Sequence, residues 1–381
     1  MTQTDLYCFK KSCKAPTELL IAQNGFMKNE GKDSFDRGML QTIQLLTNAV
    51  SILFVGMILM TLVFVFNEDL LTFFDRVTTP HPKVEVPDEK LMLASAASSI
   101  FWIAPKLSEI SDPKQREQVN YGRQLIAHTA RYLGPKGSVR AMSNGMNCQN
   151  CHLDAGTKVF GNNYGSVAST YPKMRARSGS IENIYKRVND CFQRSLNGME
   201  LDTLGKEMQA IKAYIEFLGK EVPKGEKAEG SGLKELPYMD RAADPAKGRL
   251  VYVDKCQSCH QANGGGLKNT ARNEYVYPPL WGKNSYNDGA GLYRVSNFAK
   301  YAKYNMPLGV SHTSPQLSDE EAWDVAAFVN AQSRPHKDVP QDWPNISKKP
   351  IDHPFGPYAD GFSEQQHKFG PFQPIVAAQA K

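Results

Sequence analysis

The chain has 381 residues, more than one small core requires, so two domains are expected. Hydrophobic residues make up 41% and charged residues 22%, with 29 Gly and 23 Pro, which excludes a collagen-like, a polytopic membrane or a wholly disordered chain. The net charge of +6 is mild and no basic stretch is interleaved with aromatics, so no nucleic-acid partner is expected.

Residues 1–37 form a cytoplasmic N-terminal segment carrying Lys10, Lys11, Lys14, Lys28, Lys32 and Arg37. Its Cys8 and Cys13 read as unpaired thiols. No Asp, Glu, Lys or Arg occurs over 38–67, and Ala49 to Phe66 is nearly unbroken apolar sequence. Thirty helical residues reach about 45 Å, enough to cross a bilayer core. A core helix would carry polar interruptions at helical spacing. A signal peptide would be shorter and end in small residues, where this chain has Phe64-Val65-Phe66-Asn67. The stretch is therefore expected to be a retained, single-pass transmembrane helix in contact with lipid. Lys and Arg outnumber their counterparts just beyond the span, where Glu68, Asp69 and Asp75 follow. That places the N-terminus in the cytoplasm and the rest in the periplasm of a bacterial inner membrane. Residues 68–110 are expected to link and pack. They hold a stiff Pro-rich run from Thr78 to Pro87 and an apolar stretch, Leu91 to Ala104, too short to span.

Cys148-Gln149-Asn150-Cys151-His152 recurs as Cys256-Gln257-Ser258-Cys259-His260. The pattern is that of c-type haem attachment: two thiols three positions apart add to the haem vinyl groups, and the adjacent His lies under the iron. A zinc site would need four Cys or His ligands, and each copy clusters three. Two covalently bound c-type haems are thus expected, held by Cys148, Cys151, Cys256 and Cys259, with His152 and His260 as metal ligands.

The surroundings repeat as well. Gly122 and Gly248, each followed by large apolar residues, lie ahead of the motifs and suit helices that cross a partner closely. Candidate partners are Met208 to Leu218 and Asp319 to Gln332, the latter opened by a capping box of Ser318 and Glu321. The fold expected is all-α: the N-terminal transmembrane helix, then two cytochrome c domains, over 111–222 and 238–332. A charged, Gly-rich linker over 223–237 separates them. The tail, 333–381, has eight prolines and no helical period, and is expected to strap over the outside of the domains.

Each iron needs a distal ligand. Met306, in a Pro-containing turn ahead of the closing helix, suits the second haem and plain electron transfer. For the first haem, Met174, His128 and Cys191 are all candidates. Cys191 lies in a polar segment, with Arg175, Arg177, Arg187 and Arg194 within 16 positions of it, as expected around a reactive thiolate.

From about Phe101 onward the chain resembles the thiosulfate dehydrogenase family of dihaem cytochromes c. The resemblance rests on Asn144 to Gly156, Tyr171-Pro172 to Arg177, Arg187 to Gly198, Pro278 to Gly282, Asn305-Met306-Pro307 and Pro354 to Gly361. It implies that His152 and Cys191 ligate an active-site haem, while His260 and Met306 ligate a haem that passes electrons on. It implies further that Arg177, Arg187 and Ser195 line an anion pocket, and that two thiosulfates join into tetrathionate, or the reverse. In that family Cys191 would be catalytic, leaving the iron to carry a sulfur-linked adduct. Two dianions about 5 Å apart repel by roughly 13 kcal/mol at an effective dielectric of 20, so fixed guanidinium groups are required. Asn305 stands where some relatives carry a Lys that competes for the second iron, so no such switch is expected. The electron partner implied is a cytochrome c, a quinol–cytochrome complex or a terminal oxidase. A non-catalytic dihaem electron-transfer subunit shares every feature except a use for Cys191 among arginines.

Overall fold

The computed structural model describes residues 30–66 and 100–380, so Cys8, Cys13, the Pro-rich run at 78–87 and residues 91–99 of the second apolar stretch lie outside it. The chain forms two compact units, divided between residues 88 and 89. Helices of six residues or more are α1 (Glu30–Phe66), α2 (Pro113–Ala127), α3 (Ile184–Arg194), α4 (Lys206–Leu218), α5 (Pro245–Lys255), α6 (Val295–Asn305), α7 (Asp319–Asn330), α8 (Glu364–Phe369) and α9 (Gln373–Gln379).

Helix α1 belongs to the first unit. Within it Thr42–Thr61 is long and apolar enough to cross a membrane, with exposed apolar side chains along its length. The hydroxyls of Thr47 and Thr61 donate to the carbonyls four residues back, at 2.7 and 2.6 Å, so neither depends on water for a partner.

The second unit contains both haem-attachment motifs. Asp112 caps α2 by accepting from the backbone of Lys114 and Gln115 at 3.2 and 3.1 Å, ahead of Pro113. Helix α2 then crosses α4 at Gly122, where an added Cβ would lie 2.0 Å from the Ala210 carbonyl oxygen. Helices α5 and α7 repeat the arrangement at Gly248, whose added Cβ would lie 1.8 Å from the Asp324 carbonyl oxygen. Both expected close crossings are present. So is the capping box: Glu321 N donates to Ser318 Oγ at 3.1 Å and Ser318 N to Glu321 Oε2 at 2.7 Å.

Two antiparallel hairpins depart from the all-α expectation, making the fold mostly helical. Strand β1 (Lys173–Arg175) pairs with β2 (Ser180–Glu182), and β3 (Leu267–Asn269) with β4 (Glu274–Tyr277). Strands of three or four residues are too short to show a period of two.

The segment 223–237 has no regular structure but is pinned onto the first domain. Gly225 N donates to Ser169 O at 2.8 Å, Ala228 N to Ser166 Oγ at 2.7 Å, and the Gly230 carbonyl accepts from Phe160 N at 2.8 Å. The tail also differs from expectation. Helices α8 and α9 bring Phe369, Phe372 and Ile375 into the core around Trp323, so the tail completes that core rather than covering it. The apolar spacing is real but runs for only two turns between prolines, too short to stand out.

Candidate haem sites and anion pocket

In the first domain, Cys148, Cys151 and His152 line a cavity of about 320 Å³ together with Ile126, Ile211 and Ile215. His152 donates from Nδ1 to the Asn162 carbonyl at 2.5 Å and stacks on Tyr164. That bond leaves Nε2 as the free lone pair, and burial lowers the His152 pKa to about 4, so the imidazole stays neutral as a metal ligand must. Burial pushes the Cys148 and Cys151 thiols up to about 12, an apolar setting that suits neutral thioethers.

The second domain matches. Cys256, Cys259, His260 and Met306 share a cavity of about 280 Å³ with Tyr277, Phe298 and Val325. His260 donates from Nδ1 to the Pro278 carbonyl at 2.8 Å. Met306 follows directly on α6, and Asn305 before it is turned away, donating to the Phe160 carbonyl at 3.1 Å. Each cavity therefore offers two thiols, one correctly oriented His and apolar walls, which fits a c-type haem. Met146, Asn147 and Cys151 line both cavities, and Tyr301 of α6 donates to the Asn150 carbonyl at 2.7 Å.

Helix α3 brings the chemistry to the first cavity. Asn183 caps it by accepting from Lys186 N at 3.0 Å, and the helical repeat then sets Arg187 and Cys191 one above the other. Arg187 Nη1 donates to Cys191 Sγ at 3.0 Å, and its interaction with that sulfur holds the guanidinium's pKa above the ordinary value. Ser195 closes the helix and lines the same cavity. Of the three distal candidates, only Cys191 lies in the cavity with His152. Met174 is 65% exposed on β1, and His128 is 3.1 Å from Glu274.

The arginines divide. Arg177 donates to Asp190 at 2.5 Å and faces an adjoining cavity, of about 570 Å³, that shares Cys191, Arg175, Arg187 and Ser195 with the first and also holds Asp190 and Asp342. Arg194 is held in a two-pronged pair with Asp342 at 2.8 Å on both contacts. Arg187 and Arg175 line the first cavity, where Lys173 and Lys227 join them, and no Asp or Glu is among its lining residues. Lys173 and Lys227 were not singled out from the sequence. Lys173 sits within a matched segment, whereas Lys227 lies in the linker and carries no motif.

Residues 245–333 match the cytochrome c family and residues 138–223 match the SoxA/TsdA cytochrome c domain. Together with the paired cavities, these matches define the second unit as a dihaem cytochrome c with two covalently bound c-type haems. The chain is 33% identical over 256 residues to the thiosulfate dehydrogenase of Stutzerimonas stutzeri (strain A1501), covering 66% of this chain and 80% of that one. It is 36% identical to the thiosulfate dehydrogenase of Psychrobacter arcticus over 63% of this chain and 71% of the relative. A solved thiosulfate dehydrogenase (TsdBA) from Marichromatium purpuratum superposes with a TM-score of 0.57 at 31% identity, covering 63% of this chain. The chain spans about half, 51%, of that solved chain. This protein belongs to the thiosulfate dehydrogenase family and is an oxidoreductase.

Proposed function

We propose that the chain joins two thiosulfates into tetrathionate, or runs the reverse, in the cavity around Cys191. One S–S bond forms between the two outer sulfurs, two electrons leave, and no proton or water is consumed. His152 and Cys191 would hold the first iron, and His260 and Met306 the second; each haem, when bound, accepts one electron. The observation that carries this reading is the Arg187–Cys191 contact of 3.0 Å in a cavity that His152, Arg175, Lys173 and Lys227 also line. A thiolate and its fixed guanidinium bind and orient a sulfur anion at low reorganisation cost. Ser195 contributes a hydroxyl donor at the same wall, and Arg177 supplies charge from the adjoining cavity.

Helix α1 anchors the molecule to the inner membrane, with residues 1–37 in the cytoplasm and the haem domains over 111–222 and 238–332 in the periplasm. Electrons leave through the second haem to a cytochrome c, a quinol–cytochrome complex or a terminal oxidase.

The test is Cys191→Gly with both haems confirmed by their absorption bands. Thiosulfate-dependent reduction of an added acceptor should fall at least a hundredfold. Unchanged reduction would remove the catalytic assignment and leave an electron relay.

A further inference from the structure

We infer that Lys173, from β1, and Lys227, from the segment joining the two domains, form the seat of the second thio-oxoanion, the one farther from Cys191. The inference rests on the reading of the site as a thiosulfate-coupling pocket.

Charge accounting leads to these two residues. The coupling brings two dianions together beside the Cys191 sulfur. Arg187 is committed to that sulfur at 3.0 Å. Arg177 is paired with Asp190, and Arg194 with Asp342. Arg175 faces the cavity but has Glu182 at 3.7 Å behind it. Among the described residues, Lys173 and Lys227 line the cavity and have no ion-pair partner. Within this cavity a second dianion approaching the first meets unpaired charge at these two lysines, whereas Lys337, in the adjoining cavity that also reaches Cys191, stands among Asp190, Asp288, Asp338 and Asp342.

Both are placed to serve. The backbone on either side of Lys227 is fixed, because Gly225 N donates to Ser169 O, the Glu226 carbonyl accepts from Ser169 Oγ at 2.7 Å and Ala228 N donates to Ser166 Oγ. Lys224 Nζ also donates to the Tyr171 carbonyl, tying the segment to the turn that leads into β1. Lys173 Nζ lies 4.7 Å from the Tyr171 ring centroid, a cation–π contact that holds it at the rim. Burial, followed by the neighbouring charges of Arg175, Lys227 and Arg187, lowers its pKa, as a cluster of cations awaiting an anion would. The domain linker is thereby part of the substrate pocket.

The experiment uses the full chain with Lys173→Gln, Lys227→Gln and the double variant, each checked for both haems, with thiosulfate as the probe. Lys220→Gln removes a surface charge paired with Glu109, outside the cavity, and is the control. The double variant should raise the thiosulfate KM about tenfold with kcat within about twofold, and should flatten the fall of kcat/KM with added salt. Lys173→Arg with Lys227→Arg should restore most of the loss, and Lys220→Gln should leave KM unchanged. A double variant with wild-type KM and salt dependence overturns the inference while leaving the coupling reaction intact. No thiosulfate-dependent reduction in the unaltered chain would instead remove the reaction on which the inference stands.

Discussion

Asp190 accepts from Arg177 at 2.5 Å and from Lys186 at 2.6 Å, and its side chain is 2% exposed. Burial alone would raise its pKa, but the Lys186 hydrogen bond and the Arg177 charge outweigh it and hold the carboxyl below its ordinary value. A depressed folded pKa means that this stabilisation is complete above the unfolded carboxylate pKa of about 4 and is lost as pH falls through the lower folded value. Asp190→Asn leaves Arg177, 13% exposed, as a buried cation without its counter-charge. The variant is expected to lose about 3 kcal/mol at pH 7. Denaturant unfolding should show that deficit and show it shrinking in acid, where the wild-type carboxyl is itself protonated. Equal stability at pH 7 would mean that solvent already screens the pair. The same contact explains why counting arginines near Cys191 overstates the free charge. Four lie close in sequence, yet the carboxylates that claim Arg177 and Arg194 are Asp190, on the face of α3 away from the cavity, and Asp342, 148 positions along the chain from Arg194.

At the scale of elements, the two helix crossings carry the most decisive geometry. Ala in a helix interior is ordinarily favoured over Gly by about 1 kcal/mol, so Gly122→Ala and Gly248→Ala would be stabilising were the helices apart. They are not. The new methyl groups would lie 2.0 and 1.8 Å from backbone carbonyl oxygens, far inside contact distance, and backbone cannot rotate out of the way. Each variant is therefore expected to lose about 2–3 kcal/mol net, read as a lower thermal midpoint in the haem absorption band. Gly361→Ala, with nothing within 4 Å of the added atom, should be close to neutral. These crossings were legible because a small residue before large apolar ones, recurring ahead of both haem-attachment motifs, has a packing meaning. The haem-attachment pattern was legible because covalent chemistry fixes its spacing. The β1–β2 hairpin was not, since its strands are shorter than the window any periodicity needs, and with it went the orientation of Lys173 and Arg175. Lys227 was hidden for a different reason: a charged, Gly-rich run reads as solvent-exposed linker, and only the hydrogen bonds from Ser166 and Ser169 reveal that it is a wall.

Across the whole chain, the two units ask for different solvents. In the unit from 89 onward, side chains from one haem domain reach the other: Asn287 Nδ2 donates to the Gln193 carbonyl and to Asn197 Oδ1, both at 2.8 Å, and Tyr301 to the Asn150 carbonyl. With α8 and α9 filling the second core, that unit buries its apolar residues within itself. Helix α1 does the opposite, displaying Leu53, Phe54, Ile58 and Leu59 at more than 45% exposure. Leaving such a stripe in water costs roughly 1.5–3 kcal/mol per large side chain, which a bilayer removes, and Thr42–Thr61 carries no charged residue. Nor does the backbone resist transfer, because a helix satisfies its own amides and the two threonine hydroxyls donate to carbonyls within it. The full chain is therefore expected to sediment with membranes and to stay there through an alkaline carbonate wash that strips peripheral proteins. A chain beginning at residue 100 and exported behind a cleavable secretion signal should stay in the supernatant with both haems attached, because every residue of the two cavities lies beyond that point. Release of the full chain by carbonate would show that α1 finds cover on another protein surface.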